Sequence, residues 1–325
     1  MGMAPSSRVR GRIVSRHYIA AVSTRPTIAL FVSACLTGCA ATDLSKLPDL
    51  PPGQTLSVDG QSIFVRQSGT GPDLVLLHGL GDSSLGWQNL EGPLVAAGYR
   101  VTVWDALGAG RSPKPADGNY SLAAHLRRLE IALDTLAIDE ATIVGHSLGG
   151  SLALVFAHAH PERTAALCLI DPAAYREGAL DGRWFWDTPW VAEIVLGVLS
   201  KEMLVDFGMK QNFANAARVP AEMRQLYIRE ARRDAMIRAL ILQERQLIPD
   251  DPEAWEAGHR TIQAPTLILW GENDALVPVA QGRRLAREIA GAKLVVLANL
   301  AHSPQLEEPA TVLAHLLPFL DAQRR

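Results

Sequence analysis

The stretch Ala141-Thr-Ile-Val-Gly145-His146-Ser147-Leu148-Gly149-Gly150 decides how this chain is read. A short apolar run ends at a glycine, and the segment from Leu148 to His158 then has the composition of a helix. Ser147 therefore sits between a strand and a helix inside G-x-S-x-G. A turn that sharp strains the serine backbone and projects its hydroxyl, while glycines two residues either side prevent collisions with neighbouring elements. The helix start also aims positive dipole at any negative charge that develops there. In a chain with 26 glycines the pentapeptide alone is a weak signal, so its surroundings must decide.

Outward from the serine, the pattern from Gln54 onward alternates strands and helices. Gln54 to Val58 and Ser62 to Gln67, joined through Asp59-Gly60, predict an opening hairpin. Asp73 to Leu77, Arg100 to Trp104, Ala141 to Val144, Ala166 to Ile170, Thr266 to Trp270 and Lys293 to Leu297 are short apolar runs of the kind buried on both faces. Ser121 to Ala137 carries the 3.6-residue period with a serine at its start. The expected fold class is α/β: a mostly parallel central sheet flanked by helices. Residues 173–262 contain helical patterns and no convincing strand, so they are expected to form an inserted helical cap between core segments 54–172 and 263–325. Its apolar Trp184-Phe-Trp186 stretch is a candidate for substrate contact or for packing the cap onto the core.

A serine hydroxyl is a weak nucleophile at neutral pH and needs a base, held in turn by an acid. Thr266-Leu-Ile-Leu-Trp-Gly-Glu-Asn-Asp274 puts Asp274 just past a strand, and Val295-Val-Leu-Ala-Asn-Leu-Ala-His302 puts His302 in the loop after the next. With these, the chain resembles the α/β-hydrolase family from about Gln54 to its C-terminus. Two more blocks agree: Leu76-Leu77-His78-Gly79-Leu80-Gly81 resembles the oxyanion loop, and Trp104-Asp105-Ala-Leu-Gly108-Ala-Gly110-Arg-Ser112 the glycine-rich turn after the following strand. The resemblance implies a catalytic triad of Ser147, Asp274 and His302, and an oxyanion hole made by the backbone N–H groups of Leu80 and Leu148. Asp171, after the strand where some relatives keep their acid, is the alternative to Asp274. His78 and His146 are expected to be structural, Asp105 to order its turn, Glu272 and Asn273 to shape theirs, and Trp87 to border the entrance.

The implied chemistry is hydrolysis of an ester-like bond in a small, partly apolar substrate, without metal or cofactor. Carbon–carbon bond hydrolysis, acyl transfer to another acceptor, peptidase action and cofactor-free perhydrolysis share the same triad; a non-catalytic binding protein on this fold is a further alternative. A serine at 147 excludes the relatives with an aspartate nucleophile, such as haloalkane dehalogenases and epoxide hydrolases.

Composition sets further bounds. The chain is 48% hydrophobic and 20% charged, ordinary for a globular protein. Its formal charge of −3 conceals five arginines and no acid in residues 1–38, which leaves −8 on the remainder. A net-acidic body without basic runs offers nucleic acid no footprint. The lone Cys168 lies in an aliphatic run and reads as an inert core thiol.

Thr27 to Leu36 is a mostly apolar run of ten residues, too short to span a bilayer but suited to a secretory signal. Leu36-Thr37-Gly38-Cys39 resembles the lipobox of bacterial lipoproteins. This implies a signal over 1–38, acylation of Cys39, a tether over 39–53 and, because Ala40 follows the cysteine, retention at the outer membrane of a bacterial cell envelope. Metabolic labelling with a fatty acid is expected to tag the wild type and not Cys39→Ser; equal labelling of both would remove the anchor.

Overall fold

The computed structural model describes residues 50–176, 188–233, 235–246 and 248–324. The expected signal segment, Cys39, most of the tether, and Trp184 and Trp186 lie outside them. No helix among the described residues is long and apolar enough to cross a membrane.

Eight strands form one sheet: β1 (Gln54–Val58), β2 (Gln61–Ser68), β3 (Asp73–Leu77), β4 (Arg100–Trp104), β5 (Ala141–His146), β6 (Thr164–Ile170), β7 (Thr266–Gly271) and β8 (Lys293–Leu297). Their spatial order is β1-β2-β4-β3-β5-β6-β7-β8. β2 runs antiparallel to both β1 and β4, and every other pairing is parallel. The hairpin turns at Asp59 and Gly60 with φ of 51° and 73°, the left-handed pair that a two-residue connection requires.

The period-two side-chain alternation of these strands sorts their residues into two apolar layers. Val75, Leu77, Ile143, Leu167, Leu169, Ile268 and Trp270 join one cluster, whereas Leu74, Leu76, Val144, Cys168, Ile170, Leu267 and Leu269 join the other. Helices cover both layers, which is why the central strands read as continuous apolar runs rather than alternating ones. The second layer is completed by α1 (Gln88–Ala96) and the C-terminal helix, the first by α2 (Leu122–Thr135) and α3 (Leu148–Ala159). Ser121 caps α2, its hydroxyl accepting from Ala124 N–H at 3.3 Å.

Between β6 and β7 the described residues form helices: α4 (Pro189–Val198), α5 (Lys201–Asn212), α6 (Ala221–Ala231), α7 (Met236–Gln246) and α8 (Pro252–Gly258). Within the expected cap span of 173–262, Ala174, Tyr175, Ala239 and Ile262 join the first apolar layer, and Leu242 and Trp255 pack against it. After β7 and β8 come α9 (Val279–Glu288), α10 (Pro304–Glu307) and α11 (Pro309–Ala322).

Trp87 also needs correction. It is fully buried within the second layer, in the cluster of Leu74, Leu76, Leu90 and Leu94, where an indole fills core volume and presents no face to an entrance.

His125 is buried with neither ring nitrogen hydrogen-bonded, and burial pushes its pKa down to about 3 from 6.5. The unfolded chain takes up this proton near pH 6.5 and the folded chain does not, so the stabilisation is complete above that pH and is lost as pH falls toward 3. Thermal melts are expected to show wild type losing stability relative to His125→Phe across that window; a pH-independent difference would contradict it.

Candidate active site

β5 ends at His146, and the chain reverses into α3 at Ser147 with φ 51° and ψ −117°. This strained turn is clamped on both sides. Ser147 N–H donates to Ile170 O of the adjacent strand at 3.0 Å, and its carbonyl accepts from Ser151 and Ala173 N–H at 3.1 Å each. The flanking glycines are steric necessities: a Cβ on Gly145 would strike the Gly149 carbonyl, and one on Gly149 would strike that of Leu77.

The three separate sequence blocks converge here. The Ser147 hydroxyl donates to His302 Nε2 at 2.9 Å, and His302 Nδ1–H donates to Asp274 Oδ2 at 2.7 Å. Asp274 Oδ1 accepts from Leu276 and Val277 N–H at 2.8 and 2.9 Å. His302 and Asp274 are both buried, and Asp274 follows β7 as His302 follows β8. Asp171 does not touch the imidazole in the way Asp274 does; its Oδ1 accepts from Gly271 N–H at 2.8 Å. Oxygen atoms of both acids lie within 4.8 Å of each other and of a His302 nitrogen. Both His302 nitrogens are already engaged, by Ser147 and Asp274, which leaves no imidazole lone pair for a cation.

Leu148 opens α3, so its N–H has no partner within the helix. Leu80 lies in the turn after β3, closed by Asp82 N–H to Gly79 O at 3.3 Å. That loop passes close over Ser147: a Cβ on Gly79 would come 3.2 Å from Ser147 Cβ.

His78 sets this loop. Its Nε2 accepts from Ala106 N–H at 3.0 Å, which leaves the ring proton on Nδ1, and that donates to Gly79 O at 2.7 Å. His146 donates from Nε2 to the His302 carbonyl at 2.7 Å, and burial pushes its pKa down to about 3, so it braces the relay as a neutral ring. Asp105 accepts from Ser84 and Arg111 N–H at 2.7 and 2.8 Å, ordering the glycine-rich turn. Glu272 accepts from Asn299 N–H at 3.3 Å, and burial pushes the Cys168 thiol far up.

Several residues that hold the site escaped the sequence reading. Buried Glu307 accepts from Asn215, Ala214 and Ala301 N–H at 2.8, 3.1 and 3.3 Å, tying the segment after α5 to the loop of His302. Ser303 N–H donates to Asn212 O at 3.1 Å. Tyr227 on α6 donates to Asp82 Oδ1 at 2.9 Å in the loop that carries Leu80. Their only sequence signal is a polar residue in an otherwise ordinary helix or turn. A cleft of about 810 Å³ lies in the cap, lined by residues including Phe213, Asn215 and Arg224 but by none of the relay.

Comparison with known proteins agrees with this geometry. The family model for the alpha/beta hydrolase fold matches residues 72–309. The chain is 32% identical over 275 residues to the 2-hydroxymuconate semialdehyde hydrolase of Pseudomonas sp. (strain CF600), covering 82% of this chain and 93% of that protein. It is 31% identical over 282 residues to the 2-hydroxy-6-oxo-6-phenylhexa-2,4-dienoate hydrolase of Burkholderia cepacia, covering 79% and 91%. Among solved structures, a bacterial membrane phospholipase A superposes with a TM-score of 0.70 at 25% identity, over 87% of this chain and 88% of that one. With a mostly parallel eight-stranded sheet, a serine at its strand-to-helix turn and a family match across most of its length, this chain belongs to the α/β-hydrolase fold family.

Proposed function

We propose that Ser147 is the nucleophile of an acyl-enzyme hydrolase and that the bond it breaks is a carbon–carbon bond next to a ketone or aldehyde carbonyl, in a substrate of the 2-hydroxy-6-oxo-dienoate class. The reaction type rests on the Ser147–His302–Asp274 hydrogen-bond chain. The substrate class rests on the relatives at 31–32% identity, whose names specify such compounds. It replaces ester cleavage as the first reading.

The chemistry follows from the geometry. His302 Nε2 takes the hydroxyl proton as Ser147 Oγ bonds to the carbonyl carbon, and Asp274 stabilises the imidazolium through Nδ1–H. The N–H groups of Leu80 and Leu148 receive the oxyanion, each such donor contributing about 3 kcal/mol to the transition state. Before this attack, the dienol shifts its 2-hydroxyl proton to the carbon beside the 6-oxo group, giving the 2,6-dioxo tautomer. On collapse, the bond from the carbonyl carbon to that neighbour breaks, the electron pair passes into the enone to form a dienolate, and His302 returns its proton to the dienolate oxygen. Water, deprotonated by the same imidazole, then releases the acyl group as a carboxylic acid.

Ester hydrolysis is the second reading, supported by the likeness to a phospholipase. It needs the same relay and only a different leaving group, an alkoxide in place of a stabilised carbanion. The lipobox-like Leu36 to Cys39 supports a further proposal, that the enzyme works while anchored in the cell envelope.

Assays should pair 2-hydroxy-6-oxo-6-phenylhexa-2,4-dienoate, followed by loss of its dienol absorbance, with p-nitrophenyl butyrate. A kcat/KM at least about 100-fold higher for the dienoate is expected, a discrimination of nearly 3 kcal/mol; the reverse order would give the ester reading precedence. Ser147→Ala is expected to lower kcat by about 10⁴-fold or more and to abolish fluorophosphonate labelling, with thermal unfolding nearly unchanged. Asp274→Asn, which presents the wrong partner to Nδ1, is expected to cost about 10³- to 10⁴-fold in kcat. Retained turnover in either variant would contradict the assignment.

A further inference from the structure

Asp171 closes β6 directly behind the relay. It is completely buried and holds φ at 43°, the left-handed region in which aspartate and asparagine are the best tolerated side chains after glycine. Its Oδ1 accepts from Gly271 N–H, whereas its Oδ2 is buried and meets no N–H or O–H donor. What it does face is Asp274, a carboxylate oxygen of which lies within 4.8 Å of one of its own. Two ionised carboxylates side by side in a dry pocket repel strongly, so one must keep a proton. The donors decide which. Asp274 receives three, from Leu276, Val277 and His302, and Asp171 receives one from Gly271. The ionised form belongs where the donors are.

We propose that Asp171 is a positioning residue that stays neutral and donates its carboxyl O–H to the Asp274 carboxylate, fixing the oxygen that faces His302. The shift fits: burial first, and then the charge of Asp274, raise the Asp171 pKa well above the usual carboxylate range. The other titratable groups around it are His302 on the β8 loop, His146 at the end of β5, and Cys168 on β6 itself. Burial keeps both His146 and Cys168 uncharged. The proton therefore leaves the pair with one negative charge, matched to the single imidazolium formed in catalysis. Asp171 touches neither nucleophile nor substrate and acts through Asp274.

This inference rests on the hydrolase reading above, so its first test is independent of turnover. Infrared difference spectra of Ser147→Ala against Ser147→Ala/Asp171→Asn, both near pH 7, are expected to show a protonated-carboxyl C=O band that the double variant loses. An unchanged band region would overturn the proposal even if the enzyme proved inactive on every substrate. In the active enzyme, Asp171→Asn retains an N–H donor toward Asp274 and an acceptor for Gly271. It is expected to keep kcat within about threefold and to leave the acidic limb of the kcat/KM profile in place. Asp171→Ala removes the donor and is expected to lower kcat by about 10- to 100-fold with KM within about twofold. A downward move of the acidic limb by about one pH unit in Asp171→Asn would show that an anion had been removed from beside His302, and would overturn the proposal. Should Asp171→Ala fail to fold, the asparagine variant and the infrared band decide by themselves.

Discussion

The backbone of Ser147 occupies a sparsely populated conformation that costs a non-glycine residue roughly 1–3 kcal/mol, and the site is organised around holding it there. At φ 51° and ψ −117° the chain turns from β5 into α3 within a single residue. A hydrogen bond from its amide to Ile170 O on one side, and hydrogen bonds from Ser151 and Ala173 N–H to its carbonyl on the other, fix that residue. Only glycine fits at 145 and 149, where the Gly149 and Leu77 carbonyls occupy the space a Cβ would need. The result is a hydroxyl directed out of the sheet edge, with the unpartnered amides of a helix start immediately behind it.

Parallel strand order then supplies the rest. β3, β5, β6, β7 and β8 run side by side in register, Leu77 opposite Gly145, Ile170 opposite Leu269 and Gly271 opposite Leu297. Their C-terminal ends lie along one edge, spaced about 4.8 Å per strand, so the loops that follow deliver the Leu80 turn, Ser147, Asp171, Asp274 and His302 to one place. Ser147 and His302 are 155 positions apart in the chain yet 2.9 Å apart in space. β5, β6 and β7 are almost wholly buried, so the turns of Ser147, Asp171 and Asp274 are anchored directly in the core. The cap is joined to the same edge by buried polar contacts: Glu307 and Ser303 bind the end of α5, and Tyr227 binds Asp82. These attach it to the loop of His302 and to the loop of Leu80, so the inserted helices are mechanically continuous with two of the loops that meet at Ser147.

Much of this was legible in the residues because it depends on local patterns. Short apolar runs mark strands buried on both faces, Asp59-Gly60 marks a turn with two positive φ values, and a serine flanked by glycines between a strand and a helix has few other uses. The order serine, then aspartate, then histidine follows from the order of the strands that carry them. Other features left no such mark. Trp87 is an aromatic in a short glycine-containing loop, and its sequence neighbours do not reveal that Leu74, Leu90 and Leu94 close around it. A crossover helix and a cap helix carry the same periodicity, so the pattern marks the inserted segment as helical without separating the two kinds.

The two acids show where the boundary between sequence and tertiary structure falls. By itself the sequence determined that the chain forms a mostly parallel α/β sheet with a serine at a strand-to-helix turn, and that an acid follows each of two strands near it, since each property is set by residues a few positions apart. It left Asp274 and Asp171 as alternatives, because β6 and β7 are neighbours and either loop reaches the same edge. Only the folded chain decided between them. His302 Nδ1 meets Asp274, and two further backbone donors gather on that carboxylate while a single one serves Asp171. Charge in a buried pocket settles on the group with the most hydrogen-bond donors, and that count exists only once distant segments have been brought together.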